Sequence, residues 1–465
     1  MKRLDLTDTI AAISTGLGES GIGIVRLSGK EALSIAEKIF LSKNGRRPSG
    51  YKTFTTHYGW VVEDMTTKKI IDEVILTVMR APKSYTKEDI VEINCHGGIV
   101  ALRRILALVL ENGCRLAQPG EFTKRAFMNG RIDLAQAEAV LDVIKAKTDA
   151  ALRNSVEQLK GALSKELNAI RGILLELSSI LEASIDFPEE EMGQTDTAQL
   201  KEELKKVEAR LEKLLLGSRF GRIFREGIRV VICGRTNVGK SSLLNALLRQ
   251  ERSIVTPIAG TTRDTVEETI NIRGVPVMIA DTAGITKPDN LAERKAIERS
   301  RRYIEAAQLV LLVFDGSQRL RREDLGLMRR LKHKPVLAVL NKIDLIQRIE
   351  HKQIEKRFIR LVEVSAKKAK NISLLEDALV ERVCRGDLLP QEPILVTNLR
   401  HLEDIKEMQK LIAEAINSLD NNTALPLEFI AQDIKDALRY LDDILGLNCS
   451  EDLLDRIFSA FCIGK

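Results

Sequence analysis

A short run of glycines, a lysine and a serine carries the clearest chemical signal in the sequence. Residues 234–241 read GRTNVGKS and fit the spacing GxxxxGK[ST], which is typical of a phosphate-binding loop between a strand and a helix. Glycines in such a loop let backbone N–H groups face phosphates, Lys240 can neutralise the β- and γ-phosphates, and the Ser241 hydroxyl can ligate Mg²⁺. We therefore expect a nucleoside triphosphate and Mg²⁺ to bind here.

Four further segments follow in the order of a GTP site. Residues 260–264 (GTTRD) supply a threonine that can complete the magnesium shell, and residues 281–284 (DTAG) follow an apolar run. Asp344 ends the segment 341–344 (NKID), and its carboxylate can accept both the N1 and N2 protons of guanine, whereas adenine offers an acceptor at N1. Residues 365–367 (SAK) close the set. The predicted GTP-binding residues are Asn237, Val238, Gly239, Lys240, Ser241, Ser242, Thr256, Pro257, Ile258, Ala259, Gly260, Thr261, Thr262, Asp281, Thr282, Ala283, Gly284, Asn341, Lys342, Asp344, Ser365, Ala366 and Lys367.

Two positions narrow the mechanism of hydrolysis. Ile285 follows DTAG, where Ras-like GTPases have a glutamine that orients water, so another group must position the water here. Asn237 precedes VGK in the phosphate loop, and this loop resembles that of cation-dependent GTPases. In those enzymes the asparagine and backbone carbonyls of the first switch hold K⁺ where others use an arginine finger. The resemblance predicts potassium-dependent hydrolysis; the alternative is that Asn237 only shapes the turn.

The GTP-site segments lie among apolar runs that predict strands. Runs without polar alternation, separated by helical patterns, are typical of a parallel sheet that helices cover on both faces. The sequence therefore predicts an α/β domain around the nucleotide. The predicted strands are residues 228–233, 275–280, 309–314, 336–340 and 361–364.

Helical patterns flank this α/β region on both sides. From Leu152 to Leu181 apolar residues recur every three or four positions, which predicts a single helix with one apolar face over about eight turns. A second set from Leu200 to Leu214 repeats in the same way, and helical patterns return after about residue 374. We expect the two helical segments to pack together, so that the α/β domain is an insertion in a helical domain.

Residues 1–118 mix short strand-like runs with two helical patterns, which predicts an α+β domain. The predicted fold is therefore a multidomain α/β and α+β chain in which a P-loop GTPase domain interrupts a helical domain. The predicted domains are 1–118, 119–220 (helical, first part), 221–378 (GTPase) and 379–465 (helical, second part).

Bulk composition excludes several classes of protein. A chain of 465 residues with 44% hydrophobic and 30% charged residues is typical of a globular, multidomain protein, and no apolar run approaches the roughly 20 residues of a membrane span. The opening MKRLDLTDTI lacks the apolar core of a signal peptide, so we expect a cytoplasmic protein. The six cysteines form no CxxC pair, which favours reduced thiols. Only 4% of residues are aromatic, which argues against a stacking platform for single-stranded bases.

Longer segments of the sequence resemble one known family. They are residues 21–29 (GIGIVRLSG), 95–98 (CHGG), 119–123 (PGEFT), 133–138 (DLAQAE) and 461–465 (FCIGK). Together they are similar, over the whole chain, to the tRNA-uridine modification GTPases of the MnmE family, also called TrmE.

The resemblance implies cofactors and residue roles that the spacing alone does not. It implies a homodimer built on the amino-terminal domains, each of which holds a tetrahydrofolate derivative (the 5,10-methylene or 5-formyl form) as one-carbon donor. Glu293 and Cys462 are the implied catalytic residues, Glu293 because the family uses a glutamate there to orient water. The implied folate-binding residues are Arg26, Glu92, Arg131 and Lys465, with lysine common in the family at the place of Arg131. The implied metal ligands are Asn237, Thr256, Ile258 and Thr261 for K⁺ and Ser241 and Thr262 for Mg²⁺.

The function that the resemblance implies is GTP hydrolysis coupled to tRNA modification. With a flavin-dependent partner of the MnmG (GidA) type in a heterotetramer, the family adds a carboxymethylaminomethyl-type group to C5 of the wobble uridine, position 34, of certain tRNAs. Two alternatives are a ribosome-assembly switch and a dynamin-like mechanical GTPase on membranes. The sequence contains no appended RNA-binding module and no basic amphipathic segment, which counts against both. Whether glycine or ammonium supplies the nitrogen stays open.

Overall fold

The computed structural model describes residues 8–186, 197–250, 268–281, 302–358, 360–384, 396–420 and 426–465. The chain divides into two compact units. Met1–Leu141 and Leu438–Lys465 form the first, which we call the amino-terminal unit, and Asp142–Ala437 form the second, the central unit. This division into two units does not decide the four domain boundaries predicted from the sequence, which stay a prediction.

The amino-terminal unit contains one mixed sheet, with helices from both ends of the sequence. Its strands are β1 Ile10–Ile13, β2 Gly23–Ser28, β3 Phe40–Ser42, β4 Thr55–Val62, β5 Ile70–Met79, β6 Ile90–Cys95 and β7 Arg115–Leu116. Its first helices are α1 Ala32–Ile39, α2 Ile99–Glu111 and α3 Glu121–Met128, and α4 Leu134–Lys145 runs on into the central unit.

The strand order is β3-β4-β5-β6-β2-β1-β7, antiparallel throughout except between β1 and β7. One face packs on α1 and α2 through a core that includes Val25, Leu76, Ile93 and Leu102. The predicted α+β character of this region is confirmed, and apolar runs within it form strands β2, β5 and β6. Strand β4 was missed, because its core-facing positions include Thr55, His57 and Gly59, which interrupt the apolar alternation expected of a strand.

The central unit begins with three helices: α5 Asp149–Leu159, α6 Ala162–Asp186 and α7 Thr197–Glu226. The GTPase elements are then β8 Ile228–Cys233, α8 Lys240–Gln250, β9 Glu268–Ile272, β10 Val275–Asp281, β11 Leu309–Asp315, α9 Arg322–Arg330, β12 Val336–Asn341, α10 His351–Glu355, β13 Leu361–Glu363 and α11 Ile372–Val383. The last helices of the chain are α12 Leu399–Asp420, α13 Leu427–Leu445 and α14 Glu451–Ser459.

The predicted return of the chain to its helical domain is confirmed in the central unit. Helix α7 packs against α12, and both helices bury apolar rows with no exposed surface, such as Val207 and Leu211 on α7 and Met408 and Ile412 on α12. Because β8 to α11 lie between these two helices in sequence, the GTPase elements form an insertion in a helical domain.

The single long helix predicted from residue 152 onward is wrong. Helix α5 ends at Leu159, and Gly161 takes a left-handed backbone conformation with φ +86° before α6 begins. This break resets the direction of the side chains. Leu152 is consequently exposed, and α5 buries polar Asn154 and Gln158 instead, with Gln158 donating to the Thr397 hydroxyl over 2.9 Å.

The sheet of the GTPase domain has the strand order β13-β12-β11-β8-β10-β9. The five predicted strands are present and pair in parallel, and an additional edge strand, β9, pairs antiparallel with β10. Helices α8 and α11 cover one face, while α9 and α10 cover the other. The predicted sheet with helices on both faces is therefore confirmed, and it brings the carboxyl ends of β8, β10, β11 and β12 to one edge.

Candidate functional site

The phosphate-binding loop follows β8 and turns into α8, as the sequence predicts. Gly234 has φ +155° and Gly239 has φ +94°. A Cβ on Gly234 would lie 2.6 Å from the Val313 carbonyl oxygen, and one on Gly239 would lie 2.3 Å from the Asn341 side-chain amide. Both positions therefore require glycine, because of their backbone conformation and because neighbouring atoms leave no room for a Cβ.

The ammonium of Lys240 lies inside this loop. Its Nζ donates to the carbonyl oxygens of Gly234 over 3.1 Å and of Arg235 over 2.9 Å, and the residue is buried. A buried cation surrounded by loop backbone is well placed to attract the phosphates of a nucleotide.

Asn341 connects three of the five segments that the sequence singled out. Its side-chain amide donates to the Val238 carbonyl over 2.9 Å, and its Oδ1 accepts from the backbone N–H groups of Lys342 over 2.8 Å and Ala366 over 3.0 Å. The residue is buried. One side chain therefore fixes the phosphate loop, the NKID segment and the SAK segment relative to one another.

Lys342 is held by a residue that the sequence reasoning missed. Its Nζ donates to the Asn237 carbonyl and to Asp315 Oδ2, both over 2.7 Å. Burial raises the pKa of Asp315, but hydrogen bonds from Lys342 and Ser317 outweigh this, so the pKa lies below its ordinary value. Asp315 could have been found from its position, because it ends the buried strand β11 at the same sheet edge as Asp281 and Asn341.

Asp344, the predicted guanine acceptor, points its carboxylate toward Ser365. The Ser365 hydroxyl donates to Asp344 Oδ1 over 2.6 Å and also accepts from the Lys368 backbone N–H over 3.3 Å. The hydrogen bond from Ser365, with smaller contributions from Lys368 and Lys367, holds the pKa of Asp344 below its ordinary value. The carboxylate is therefore ionised at neutral pH and can accept two guanine protons.

We expect Asp344→Asn to weaken GTP binding ten- to a hundredfold, because a charged hydrogen-bond acceptor becomes partly a donor. Xanthosine triphosphate should bind the variant better than GTP, since its base carries an oxygen where guanine carries the 2-amino group. Competition of both nucleotides against a fluorescent GDP analogue measures the two affinities. Unchanged GTP affinity in the variant would remove the assignment.

The remaining predicted nucleotide residues divide into two groups. Asp281 ends β10 beside Ile232 of β8, and Ser241 and Ser242 begin α8. Residues 256–262, residues 282–284 and Glu293 lie outside the described residues. Their predicted roles in binding GTP, K⁺ and Mg²⁺ and in orienting water therefore stay predictions.

A second cluster of predicted residues lies in the amino-terminal unit. Arg26 on β2 and Glu92 on β6 are directly paired across the sheet, and the Arg26 guanidinium donates to Glu92 Oε1 over 2.8 Å. Both side chains are only 17% exposed. The pair lies on the sheet face opposite α1 and α2, since Arg26 alternates with the inward-facing Val25 and Leu27.

Tyr85 stands between the two predicted folate-binding arginines. The Arg131 guanidinium carbon lies 4.7 Å from the centre of the Tyr85 ring, and that of Arg26 lies 5.9 Å away. Arg26 also lies 5.6 Å from the centre of the Phe122 ring. The sequence reasoning missed both rings. Phe122 is in the PGEFT segment, two residues after the glycine that caps α3, and this position was the available signal.

The last residues of the sequence dock on the same place. The Arg26 guanidinium donates to the Gly464 carbonyl over 3.4 Å, and the Phe122 backbone N–H donates to the Lys465 carbonyl over 3.2 Å. The Gly120 N–H donates to the Cys462 carbonyl over 3.4 Å, and the Cys462 side chain is exposed. The structure thus brings Arg26, Glu92, Arg131, Cys462 and Lys465 together.

Packing of α14 explains why this tail is held. Leu454, Phe458 and Phe461 are buried against Ala126 and Leu134. Gly120, with φ +69°, permits the close approach, because a Cβ there would lie 2.6 Å from the Phe458 carbonyl oxygen. Leu453 and Ile457 of the same helix are only half-buried.

Comparison with known proteins identifies the family of this chain. Family models match residues 134–462 (MnmE helical domain) and residues 9–131 (GTP-binding protein TrmE N-terminus). The tRNA modification GTPase MnmE of Clostridioides difficile (strain 630) is 44% identical over 462 residues, which is 99% of this chain and 100% of that protein. The chain belongs to the MnmE family of tRNA modification GTPases.

Other relatives agree with this membership. MnmE of Geobacillus thermodenitrificans (strain NG80-2) is 44% identical and covers 98% of this chain and 99% of its own, and MnmE of Lactococcus lactis subsp. cremoris (strain MG1363) is 47% identical over 98% of both. A solved structure of Aquifex aeolicus Era bound to GDP.AlF4⁻ is 31% identical and covers 40% of this chain and 66% of its own. Its TM-score of 0.29 is too low to support a conclusion about this chain.

Membership in the MnmE family makes the chain a GTP-binding GTPase of tRNA modification. Among the described residues, no helix is long and apolar enough to cross a lipid bilayer. The described part of the chain also contains no group of three or more His, Cys, Asp or Glu side chains that could hold a metal ion. The residues predicted to bind K⁺ and Mg²⁺ are Asn, Thr, Ile and Ser, so their prediction does not depend on such a group.

Proposed function

We propose that this GTPase is potassium-dependent and couples GTP hydrolysis to adding a carboxymethylaminomethyl-type group at C5 of uridine 34 in certain tRNAs. It acts in the cytoplasm as a homodimer, in a heterotetramer with a flavin-dependent partner of the MnmG type, and uses a tetrahydrofolate derivative as one-carbon donor. The convergence of Arg26, Glu92, Arg131 and the tail 462–465 on Tyr85 and Phe122 carries this proposal.

In the nucleotide site, each residue has a distinct proposed task. Lys240 binds the β- and γ-phosphates and Asp344 selects guanine. Asn341 holds the phosphate loop, the NKID segment and the SAK segment together. Ser241 and Thr262 are the proposed Mg²⁺ ligands, and Asn237 with Thr256, Ile258 and Thr261 forms the proposed K⁺ site. Glu293 orients the attacking water. The exposed position of Asn237 in a left-handed turn supports its availability as a ligand.

The residues of the amino-terminal cluster fit a folate. The Glu92 carboxylate is an acceptor for the N–H groups of an aminopyrimidine ring, and the partly exposed Tyr85 ring offers an apolar face to a flat heterocycle. Arg131 and Lys465 are cations for the carboxylates at the other end of such a molecule. When bound, the folate supplies a one-carbon unit. The tail holds the exposed Cys462 thiol close to this site, where it can approach the one-carbon unit or the uridine ring.

An open part of the sheet supports the proposed homodimer. Tyr58 on β4 and Ile75 on β5 are paired, and both are more than 40% exposed on the face that also carries Arg26 and Glu92. Exposed aromatic and branched side chains on a sheet face are typical of a surface that another chain covers. A dimer through this face would lie next to the proposed folate site.

We expect Arg26→Met to weaken 5-formyltetrahydrofolate binding on the order of ten- to a hundredfold, because the change removes the charged partner that orients Glu92 and the Gly464 carbonyl. Calorimetric titration of the full chain measures this affinity, and GTP turnover of the same variant should stay close to normal.

Arg104→Met is the matched control for the Arg26 variant. Arg104 also forms an ion pair in this unit, with Glu63 over 2.9 Å, but it is half exposed and contacts no residue of the folate cluster. Its substitution should leave folate affinity unchanged. Equal folate affinity in the Arg26 variant and the unmodified protein would argue against the proposed site.

A further inference from the structure

The positive charge of the chain is concentrated in one part of the GTPase domain. Residues 319–360 contain thirteen Lys and Arg against five Asp and Glu, a net charge of +8, while the whole chain carries only +6. The rest of the protein is therefore slightly acidic. This stretch forms the connection from β11 through α9, β12 and α10 toward β13.

The two helices of this stretch lie on the same face of the sheet. Leu327 and Met328 of α9 and Ile354 of α10 share one buried core with Leu312 and Leu340 of the strands. Since both helices bury their apolar sides against this face, their outward sides point to the same side of the GTPase domain.

We define the basic face by six exposed cations on and beside these helices: Arg329, Arg330, Lys332, Arg348, Lys352 and Lys356. Within the described residues none of the six forms an ion pair, whereas Arg360 next to them pairs with Glu381. Asp324, an acid of α9, is buried beside Arg235. The acids Glu323, Glu350 and Glu355 are exposed on or beside the same helices, but in the described part of the chain none of them pairs with the six cations. Closely spaced cations without acidic partners repel one another, and an anionic ligand would relieve that repulsion.

The chemistry of the basic face favours nucleic-acid phosphates over bases. Phe358 is the single Phe, Tyr or Trp of the stretch and is half-buried against the core, so no such ring is free to stack on a base. Lysine and arginine without aromatic neighbours contact phosphates independently of sequence. As the family modifies tRNA, a long phosphate backbone is the polyanion that the protein meets.

We propose that the basic face of the GTPase domain binds the phosphate backbone of tRNA. This inference rests on family membership and surface charge and is independent of the folate site. It assigns a tRNA contact to the domain that hydrolyses GTP, on helices that include none of the predicted nucleotide-binding residues.

Titration of fluorescently labelled, unmodified tRNA with the full-length, GDP-bound protein at several NaCl concentrations tests the proposal. Two triple variants are used: Arg329→Gln with Arg330→Gln and Lys332→Gln, and Arg348→Gln with Lys352→Gln and Lys356→Gln. Each should weaken tRNA binding about tenfold near 0.1 M salt and reduce the slope of log affinity against log salt by about two to three. Retained GDP affinity verifies that the variants are folded.

A matched control removes the same charge without touching the basic face. Lys165, Lys213 and Lys406 are exposed on helices α6, α7 and α12, and their triple change to Gln should leave tRNA affinity and salt slope unchanged. Normal tRNA binding by both basic-face variants would overturn the proposal. So would an equal loss in the control, which would indicate net charge alone, or a selective loss of binding to vesicles containing phosphatidylserine, which would indicate a lipid surface.

Discussion

GTP hydrolysis by this protein should be on the order of a hundredfold or more faster in potassium buffer than in sodium buffer. A K⁺ ion at Asn237 would neutralise the charge that develops between the β- and γ-phosphates, and losing one such group typically costs this much in rate. The structure supports the position of the asparagine, because Lys342 donates to its backbone carbonyl over 2.7 Å in the middle of the phosphate loop. Initial GTPase rates in matched KCl and NaCl buffers measure the effect.

The backbone conformation of Asn237 determines which substitution is the best test of the proposed potassium site. Asn237 has φ +63°, a left-handed conformation that strains an alanine by roughly 1–2 kcal/mol but that glycine adopts freely. Asn237→Gly therefore removes the side chain without straining the loop, and it should abolish the difference between the two salts, as should Asn237→Ala. Thr236→Ala, at the exposed neighbouring position, should keep the difference. Equal rates in potassium and sodium for the unmodified protein would refute the potassium site.

A Cys462→Ser protein should hydrolyse GTP at a near-normal rate but lose tRNA modification by on the order of a hundredfold or more, as expected when a reacting thiol is removed. The thiol is exposed, while the backbone around it is held by Gly120, Arg26 and Phe122. A small side chain fixed in this way is positioned for chemistry and contributes little to packing. Mass spectrometry of uridine 34 nucleosides beside GTP turnover separates the two activities.

Gly464→Ala provides an independent test of the tail. Gly464 has φ +97°, and a Cβ there would lie 2.4 Å from the Ile13 carbonyl oxygen, so the alanine cannot occupy the docked conformation. This variant should also lose modification while its thiol and its GTPase rate are retained. Ser459→Ala, at an exposed position at the end of α14, is the control and should behave normally. Normal tRNA modification by the Cys462→Ser protein would indicate that the tail has only a structural role.

The sequence by itself determined those parts whose physics is local. The phosphate loop is contained in eight consecutive residues, and the glycines and lysine that bind phosphates must be neighbours there, so the motif was visible without a fold. The buried parallel strands were visible for the same reason, since a strand covered on both faces needs an unbroken apolar run. The apolar row of α7 from Leu200 to Leu214 was likewise set by helical periodicity and is fully buried.

Tertiary structure alone decided how distant residues meet. Arg26 and Gly464 are hydrogen-bonded although 438 positions separate them, and Tyr85 lies between two arginines that no spacing relates. Asp315 acquired a role only because parallel strands end at one edge and bring it to Lys342. The face that α5 buries was also decided in this way, because a left-handed Gly161 and a hydrogen bond from Gln158 to Thr397 override the apolar periodicity. Periodicity records which side chains avoid water, whereas long-range pairing depends on the packed arrangement of the whole unit.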